Sequence, residues 1–271
     1  MKHIRKTAVA GLFYPSDKKE LSDLINSFYS GMGDPDFNRI TGMVAPHAGY
    51  IYSGLTAAHA FFQIKNKNYD TVIIISPSHR EYFPGISIYN GDAYDTPLGE
   101  LEVDKDFRKK LTEKSDDIFE GINGHRAEHG IEVELPFLID AIGFPKIVPI
   151  VMGDQRKELV DELSQRLAPM LNEKTLVIAS SDLSHFYTRK VADKLDSIAA
   201  EKISAFDTDG LQFDLDNKRC EACGGGPIIA MMKACLSFNS NKSKVLHRSD
   251  SGDITGDFRE VVGYLSAVVY Q

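Results

Sequence analysis

The chain has no tryptophan, only three cysteines, and no apolar stretch approaching the roughly 18 residues that suggest a membrane-spanning helix. Cys220, Cys223 and Cys235 are an odd number and too few for the disulfide framework of a small secreted protein, which points to a reducing compartment. Positive charge is scarce: 31 Lys and Arg face 39 Asp and Glu, a formal net charge of −8. That balance argues against nucleic acid as a partner, because backbone phosphates demand clustered cations. Local groups such as Arg108-Lys109-Lys110 read as solvated helix faces. The start, Met1-Lys2-His3-Ile4-Arg5-Lys6, is charged but precedes no continuous apolar segment before Gly11 and Pro15, so no secretory signal is expected. No Gly-x-Ser-x-Gly elbow surrounds any serine, and there is no internal repeat or low-complexity tract. The expectation is a cytoplasmic protein with neither membrane nor nucleic acid as its partner.

What is present is an ordinary globular composition, 42% hydrophobic and 26% charged, over 271 residues without a linker between separate hydrophobic patterns. One domain spanning 1–271 is expected. Asp17 with Glu20 forms a capping-box-like start for a first helix whose apolar face is Leu21, Leu24, Ile25 and Phe28. Ahead of it, Ala10-Gly11-Leu12-Phe13-Tyr14-Pro15 either packs on the core or covers a pocket. From position 40 onward, strand-like segments (40–46, 71–76, 85–89, 146–152, 175–181, 244–249, 261–269) alternate with helical ones (54–64, 104–114, 131–142, 155–171, 189–205, 224–237). This alternation predicts an α/β fold, and the close succession of the last two strands predicts a mixed sheet with an antiparallel edge.

Three of the apolar runs end in groups that carry chemistry. Met43-Val44-Ala45-Pro46 leads into His47, Val72-Ile73-Ile74-Ile75-Ser76-Pro77-Ser78 into His79, and Leu176-Val177-Ile178-Ala179-Ser180-Ser181 into Asp182 and His185. In open α/β sheets ligands collect where the carboxyl ends of strands open into loops. If these strands lie parallel in one sheet, two imidazoles and an Asp/His pair converge on one rim, as a metal site requires. Asp182 and His185, three apart, would share one side of a helical turn, either as ligands or as a proton-transfer pair in which Asp182 orients His185.

Cys223 opens Cys223-Gly224-Gly225-Gly226-Pro227-Ile228, a glycine-rich entry to an apolar helix, where the helix dipole would favour the thiolate. Cys220-Glu221-Ala222-Cys223 has no second Cys-x-x-Cys to complete a zinc knuckle, so Cys220 reads as incidental and Cys235 as core. His129 and Glu132 stand three apart at the start of a helix. Either the acid complements the helix dipole, or His129 lines a pocket and Glu132 holds it or another histidine in place. Asp250, Asp253 and Asp257 lack the spacing of a calcium loop.

These segments, in this order, resemble the Memo family: Ala10 to Pro15, Ala45-Pro46-His47-Ala48-Gly49-Tyr50, Pro77-Ser78-His79, Thr96-Pro97-Leu98-Gly99, Glu128-His129-Gly130-Ile131-Glu132, Ser180 to His185, and Cys223-Gly224 with Pro227-Ile228. The resemblance runs through the whole chain. It implies a single-domain α/β sandwich with a central mixed sheet flanked by helices, similar to the class III extradiol dioxygenases. It implies His47, His79 and Cys223 as metal ligands, with Asp182 and His185 beside them and His129 lining the cavity. The dioxygenases hold iron with two histidines and a carboxylate, whereas the pattern here supplies a thiolate, which admits iron(II), copper(I) or zinc. The chain also departs from the family in having Gly130 where a serine is common and Glu134 where a glutamine is frequent.

The function implied is a metal-dependent, dioxygenase-like oxidoreductase, with iron(II) as the expected ion and His185, Asp182 and His129 as the catalytic side chains. It would act on a small-molecule substrate in the AmmeMemoRadiSam system, beside an AMMECR-type domain protein and a radical SAM protein. The competing readings are a non-catalytic protein that holds a metal or a peptide, the adaptor role of eukaryotic relatives, and zinc-dependent hydrolysis with Asp182 or His185 activating water.

Overall fold

The computed structural model describes residues 2–271. In chain order its first elements are β1 (Ile4–Arg5), α1 (Lys18–Tyr29), β2 (Ile40–Ala45), α2 (Tyr50–Gln63), β3 (Thr71–Pro77), β4 (Ile86–Tyr89), β5 (Ala93–Tyr94), β6 (Leu101–Glu102), α3 (Lys105–Thr112) and β7 (Ile118–Gly121). There follow α4 (Glu134–Ile142), β8 (Lys146–Met152), α5 (Lys157–Leu167), β9 (Thr175–Ser180), β10 (His185–Tyr187), α6 (Arg189–Ser204), α7 (Thr208–Asp216), α8 (Gly225–Leu236), β11 (Lys242–Asp250), α9 (Gly252–Thr255) and β12 (Val261–Tyr270).

Nine strands form the central sheet in the order β10-β12-β2-β9-β3-β8-β4-β7, with β11 pairing on β12. The core of the sheet is parallel: β9 lies between β2 and β3, and β8 flanks β3. Direction reverses at both ends, where β12 runs antiparallel to β2 and β11, and β4 antiparallel to β8. The expected mixed sheet is therefore present, and the three strands ending in His47, Asp182 and His79 are immediate neighbours. A separate three-stranded sheet, β1-β5-β6, anchors the amino-terminal segment.

The strands are continuously apolar because both faces of the sheet are covered. Val72, Ile74, Met43 and Ile178 belong to one core with Leu21 and Ile25 of α1, Phe61 of α2 and Leu138 of α4. Their neighbours Ile73, Ile75, Val44 and Val177 belong to the other, with Leu163 of α5, Ile203 of α6 and Met231 of α8. The twofold alternation of a strand divides each run between the two cores.

Local differences from the sequence reading have identifiable causes. The helix expected over 155–171 breaks after Leu167 into a 3-10 turn at Ala168–Met170, where Pro169 has no N–H to continue the ladder. The helix expected from 131 starts at Glu134, because Ile131 to Val133 form a turn closed by Val133 N–H on the His129 carbonyl (3.0 Å). The helix expected from 54 starts at Tyr50, bringing its first turn close to His47. The helix α7 was not anticipated: it buries only Leu211 and Asp214, too little for a legible apolar face. Residues 182–185 are not a helical turn; they run into the short strand β10.

Candidate metal centre

His47, Asp182 and His79 hang from the carboxyl ends of β2, β9 and β3, and Cys223 reaches them from the turn before α8. His47 is fully buried, and its ring centroid lies 4.8 Å from that of His79 and 5.3 Å from that of His129. Its Nε2 is 3.2 Å from Cys223 Sγ. One donor atom each from His47, His79 and Cys223 lies within 4.8 Å of the other two, a spread that a single ion can draw together.

Hydrogen bonds prepare both imidazoles as ligands. Ser180 Oγ has one proton and lies 2.6 Å from the Gly130 carbonyl, which can only accept, so that proton goes to Gly130. His47 Nδ1, 2.8 Å from the same hydroxyl, must then donate to it. This leaves the lone pair on Nε2, the atom that faces Cys223. Glu134 Oε1 is also 2.8 Å from Ser180 Oγ; complete burial raises its carboxyl far above the usual range, so it carries the proton of that contact. His79 is set more directly. Glu128 takes its backbone N–H on Oε2 (2.6 Å) and its Nδ1–H on Oε1 (2.8 Å), again freeing Nε2. Burial would raise the Glu128 carboxyl, but these bonds and the Gly130 N–H outweigh it and hold it down to about 2. A carboxylate behind a ligating histidine fixes its tautomer and raises its basicity.

A second triplet, His79, Glu128 and His129, is equally close-set. Its carboxylate is already committed to the N–H groups of His79, His129 and Gly130 and to the His79 ring, so it is the poorer candidate.

Cys223 is held by the β9 loop. Its Sγ accepts the Asp182 N–H (3.2 Å), and its own N–H donates to the Asp182 carbonyl (3.2 Å). The turn depends on Gly224: a Cβ there would stand 2.4 Å from the Ser180 carbonyl oxygen and 2.7 Å from Ser181 Cβ. The helix dipole does not make this thiol a thiolate, contrary to the sequence reading. The helix begins at Gly225, and burial, reinforced by the nearby Asp182 carboxylate, pushes the thiol well above its ordinary range. A buried sulfur of this kind becomes thiolate when a cation sits against it. The donor set thus fits a metal ion.

Asp182 and His185 are both at the site but are not bonded to each other. Asp182 Oδ1 accepts the His47 backbone N–H (2.8 Å), bracing the neighbouring loop, and burial raises its carboxyl to about 7. His185 Nδ1 is 2.8 Å from the Leu183 carbonyl, an acceptor only, so Nδ1 carries the proton and Nε2 is the free base; burial lowers its pKa. His129 is mostly buried beside Phe13, with ring centroids 5.0 Å apart, and burial lowers it to about 4. Glu132 holds neither histidine. It accepts from Arg5, Tyr14, Ala8 and Val9 and fastens the amino-terminal segment instead.

His129, Asp182 and His185 together line a cavity of about 460 Å³ walled by Leu12, Phe13, Ile51 and Tyr52. The Ala10–Pro15 segment therefore does both things expected of it, with Tyr14 in the core and Leu12 and Phe13 on the cavity. A second cavity, about 540 Å³, reaches Cys223 from the other side of His185. The role missed by the sequence reading is that of Glu128, quoted there only within a matching stretch. Its partner is 49 positions away, and only its adjacency to His129 could have drawn attention to it.

The family model described as Memo-like protein matches residues 5–268. A MEMO1 family protein of Methanocaldococcus jannaschii is 38% identical, covering 99% of this chain and 100% of its own length. MEMO1 family proteins of Thermoplasma volcanium (36% identical, 98% of each chain) and Methanobrevibacter smithii (37% identical, 98% of this chain and 99% of the relative) are similar to it over their whole length.

Proposed function

Since the chain belongs to the Memo family, we propose that it binds a metal through His47, His79 and Cys223 and acts as a non-haem, metal-dependent redox enzyme related to the extradiol dioxygenases. The observation that carries this reading is the donor arrangement: two imidazoles with Nδ1 already hydrogen-bonded, and a buried thiol 3.2 Å from one free Nε2. Iron(II) is the ion we assign, with copper(I) and zinc as the alternatives a thiolate admits. A thiolate together with the Glu128 and Asp182 carboxyls makes the surroundings of the site negative, which favours a divalent ion over a monovalent one. When bound, iron(II) would supply one-electron chemistry and open coordination positions.

The chain's own residues supply the rest. His185 Nε2 is positioned to take a proton from a ligand in the apolar cavity, and His129 and Asp182 face the same space. Asp182 also keeps the His47 loop in place. Phe13 and Leu12 limit the access of water from the amino-terminal side. We place the protein in the cytoplasm, beside an AMMECR-type domain protein and a radical SAM protein acting on a shared substrate or intermediate. Among the described residues no helix is long and apolar enough to cross a membrane.

Protein purified without an affinity tag should carry about one equivalent of metal, and His47→Ala and Cys223→Ala should each lose it. Unchanged metal content in both variants would overturn the ligand assignment. Anaerobic iron loading followed by oxygen uptake with candidate substrates tests the redox step. Bound iron without consumption of oxygen or substrate would favour a binding role.

A further inference from the structure

His185 and Phe186 are adjacent in β10, yet both line the apolar cavity. Consecutive residues of a regular strand face opposite sides. The exception arises because the pairing of β10 with β12 slips between His185 and Tyr187, and Phe186 adopts φ 64°, a left-handed conformation that costs free energy for a bulky residue. The result is a phenyl ring left 70% exposed at the cavity mouth, next to the imidazole, with ring centroids 5.7 Å apart. Across the mouth stand Leu12, 81% exposed, and Ile51, 66% exposed. Packing explains none of these three exposures, and together they form an apolar collar around one opening.

The charge lining the cavity is equally one-sided. Among the described residues no Lys or Arg lines it, whereas Asp182 lies in its floor and Glu260 at its edge. An anion entering this space would lose its hydration without gaining a cationic side chain.

We propose that this vestibule is the substrate subsite, and that it takes a small molecule with an apolar or aromatic body and no negative charge, neutral or cationic, clamped between Phe186 and the Leu12, Phe13, Ile51 and Tyr52 wall. A volume of about 460 Å³ suits a small organic ligand rather than a chain segment. The word substrate rests on the metal-enzyme reading above; the binding selectivity does not.

The test is a ligand-observed NMR titration of metal-stripped protein with three probes of matched size: phenylpropylamine, phenylpropanol and phenylpropanoate. The amine and the alcohol should bind at least about tenfold more tightly than the carboxylate. Phe186→Gly should weaken both by up to about tenfold, in line with the loss of an aromatic contact. Its unfolding temperature should not fall, since glycine adopts φ 64° without strain, so the loss cannot be ascribed to unfolding. Glu260→Lys should narrow the gap between amine and carboxylate to about threefold or less. Carboxylate binding equal to that of the amine, no binding of any probe, or unchanged affinity in Phe186→Gly would each overturn the proposal. Because metal-stripped protein is used, these outcomes are independent of metal loss in His47→Ala and Cys223→Ala.

Discussion

Glu132 should be among the most sensitive positions in the chain, although it touches none of the three proposed ligands. Its two oxygens accept from the Arg5 guanidinium, the backbone N–H groups of Ala8 (2.8 Å) and Val9 (3.0 Å), and the Tyr14 hydroxyl (2.6 Å). The Arg5 side chain is 4% exposed and that of Glu132 is fully buried, so solvent screening does not dilute the pair. Glu132→Gln keeps the shape but turns one acceptor into an amide donor aimed at other donors. Stranding a buried charge costs about 3–5 kcal/mol, and each unsatisfied donor about 1–3 kcal/mol more. Arg5 still donates to the carbonyls of His125 and Glu128, which limits the total to roughly 4–6 kcal/mol. That is a large share of the roughly 5–15 kcal/mol by which domains are stable. Tyr14→Phe, which leaves Oε1 with the Val9 N–H, should cost only about 1 kcal/mol. Urea unfolding followed by far-ultraviolet circular dichroism measures both, with tyrosine emission as a second probe in a chain without tryptophan. A loss below about 2 kcal/mol in Glu132→Gln would refute the argument that this carboxylate is the fastening point of the amino-terminal segment. Hydrogen exchange should also rise at Leu12 and Phe13, because their segment is held through the same carboxylate.

Three further outcomes are expected. Glu128→Gln should weaken metal binding by about 10- to 100-fold, measured by chelator competition, and lower stability by about 1–3 kcal/mol because its amide then faces the N–H groups it had accepted from. Gly224→Ala should lower stability by about 1–3 kcal/mol and reduce metal occupancy together, since the new Cβ collides with the Ser180 carbonyl beneath Cys223. His125 is buried and donates Nε2–H to the Ser87 carbonyl (3.2 Å) while accepting from Tyr94 (2.6 Å); burial depresses it from 6.5 to about 3. Above pH 6.5 both folded and unfolded states are neutral at this site and stability is full. As pH falls from 6.5 towards 3 only the unfolded state takes the proton, so stability drops by about 1.4 kcal/mol per unit on this account. His125→Gln should flatten the slope of unfolding free energy against pH in that window by this amount.

The strand ends carrying His47, His79, Asp182 and His185 were legible because continuous apolar runs mark buried parallel strands, and such strands deliver their loops to one rim. Cys223 was placed beside the histidines only by the family resemblance; spacing said no more than that it opened a helix. Glu128 and the inverted role of Glu132 were not legible. Both lie in an irregular turn whose partners come from the loop after β3 and from the amino terminus, and no periodicity links positions so far apart in the chain. The φ of Phe186 was hidden for a related reason: a three-residue strand with a slipped register leaves no alternation to read. The pairing of Asp182 with His185 failed because proximity in sequence implied a helical turn, whereas the chain turns outward there to form β10.

The departure at Gly130 acquires a meaning from its neighbour. A Cβ at this position would stand 2.1 Å from Ser76 Oγ and 3.3 Å from His47 Nδ1. A side chain at 130 therefore fits only if the Ser76 hydroxyl turns away or is removed. Ser76→Ala leaves no more than a small void, while Gly130→Ser alone makes a collision beside His47, a proposed metal ligand. The two positions are therefore coupled: Gly130→Ser should cost less stability in a Ser76→Ala background than in the native chain.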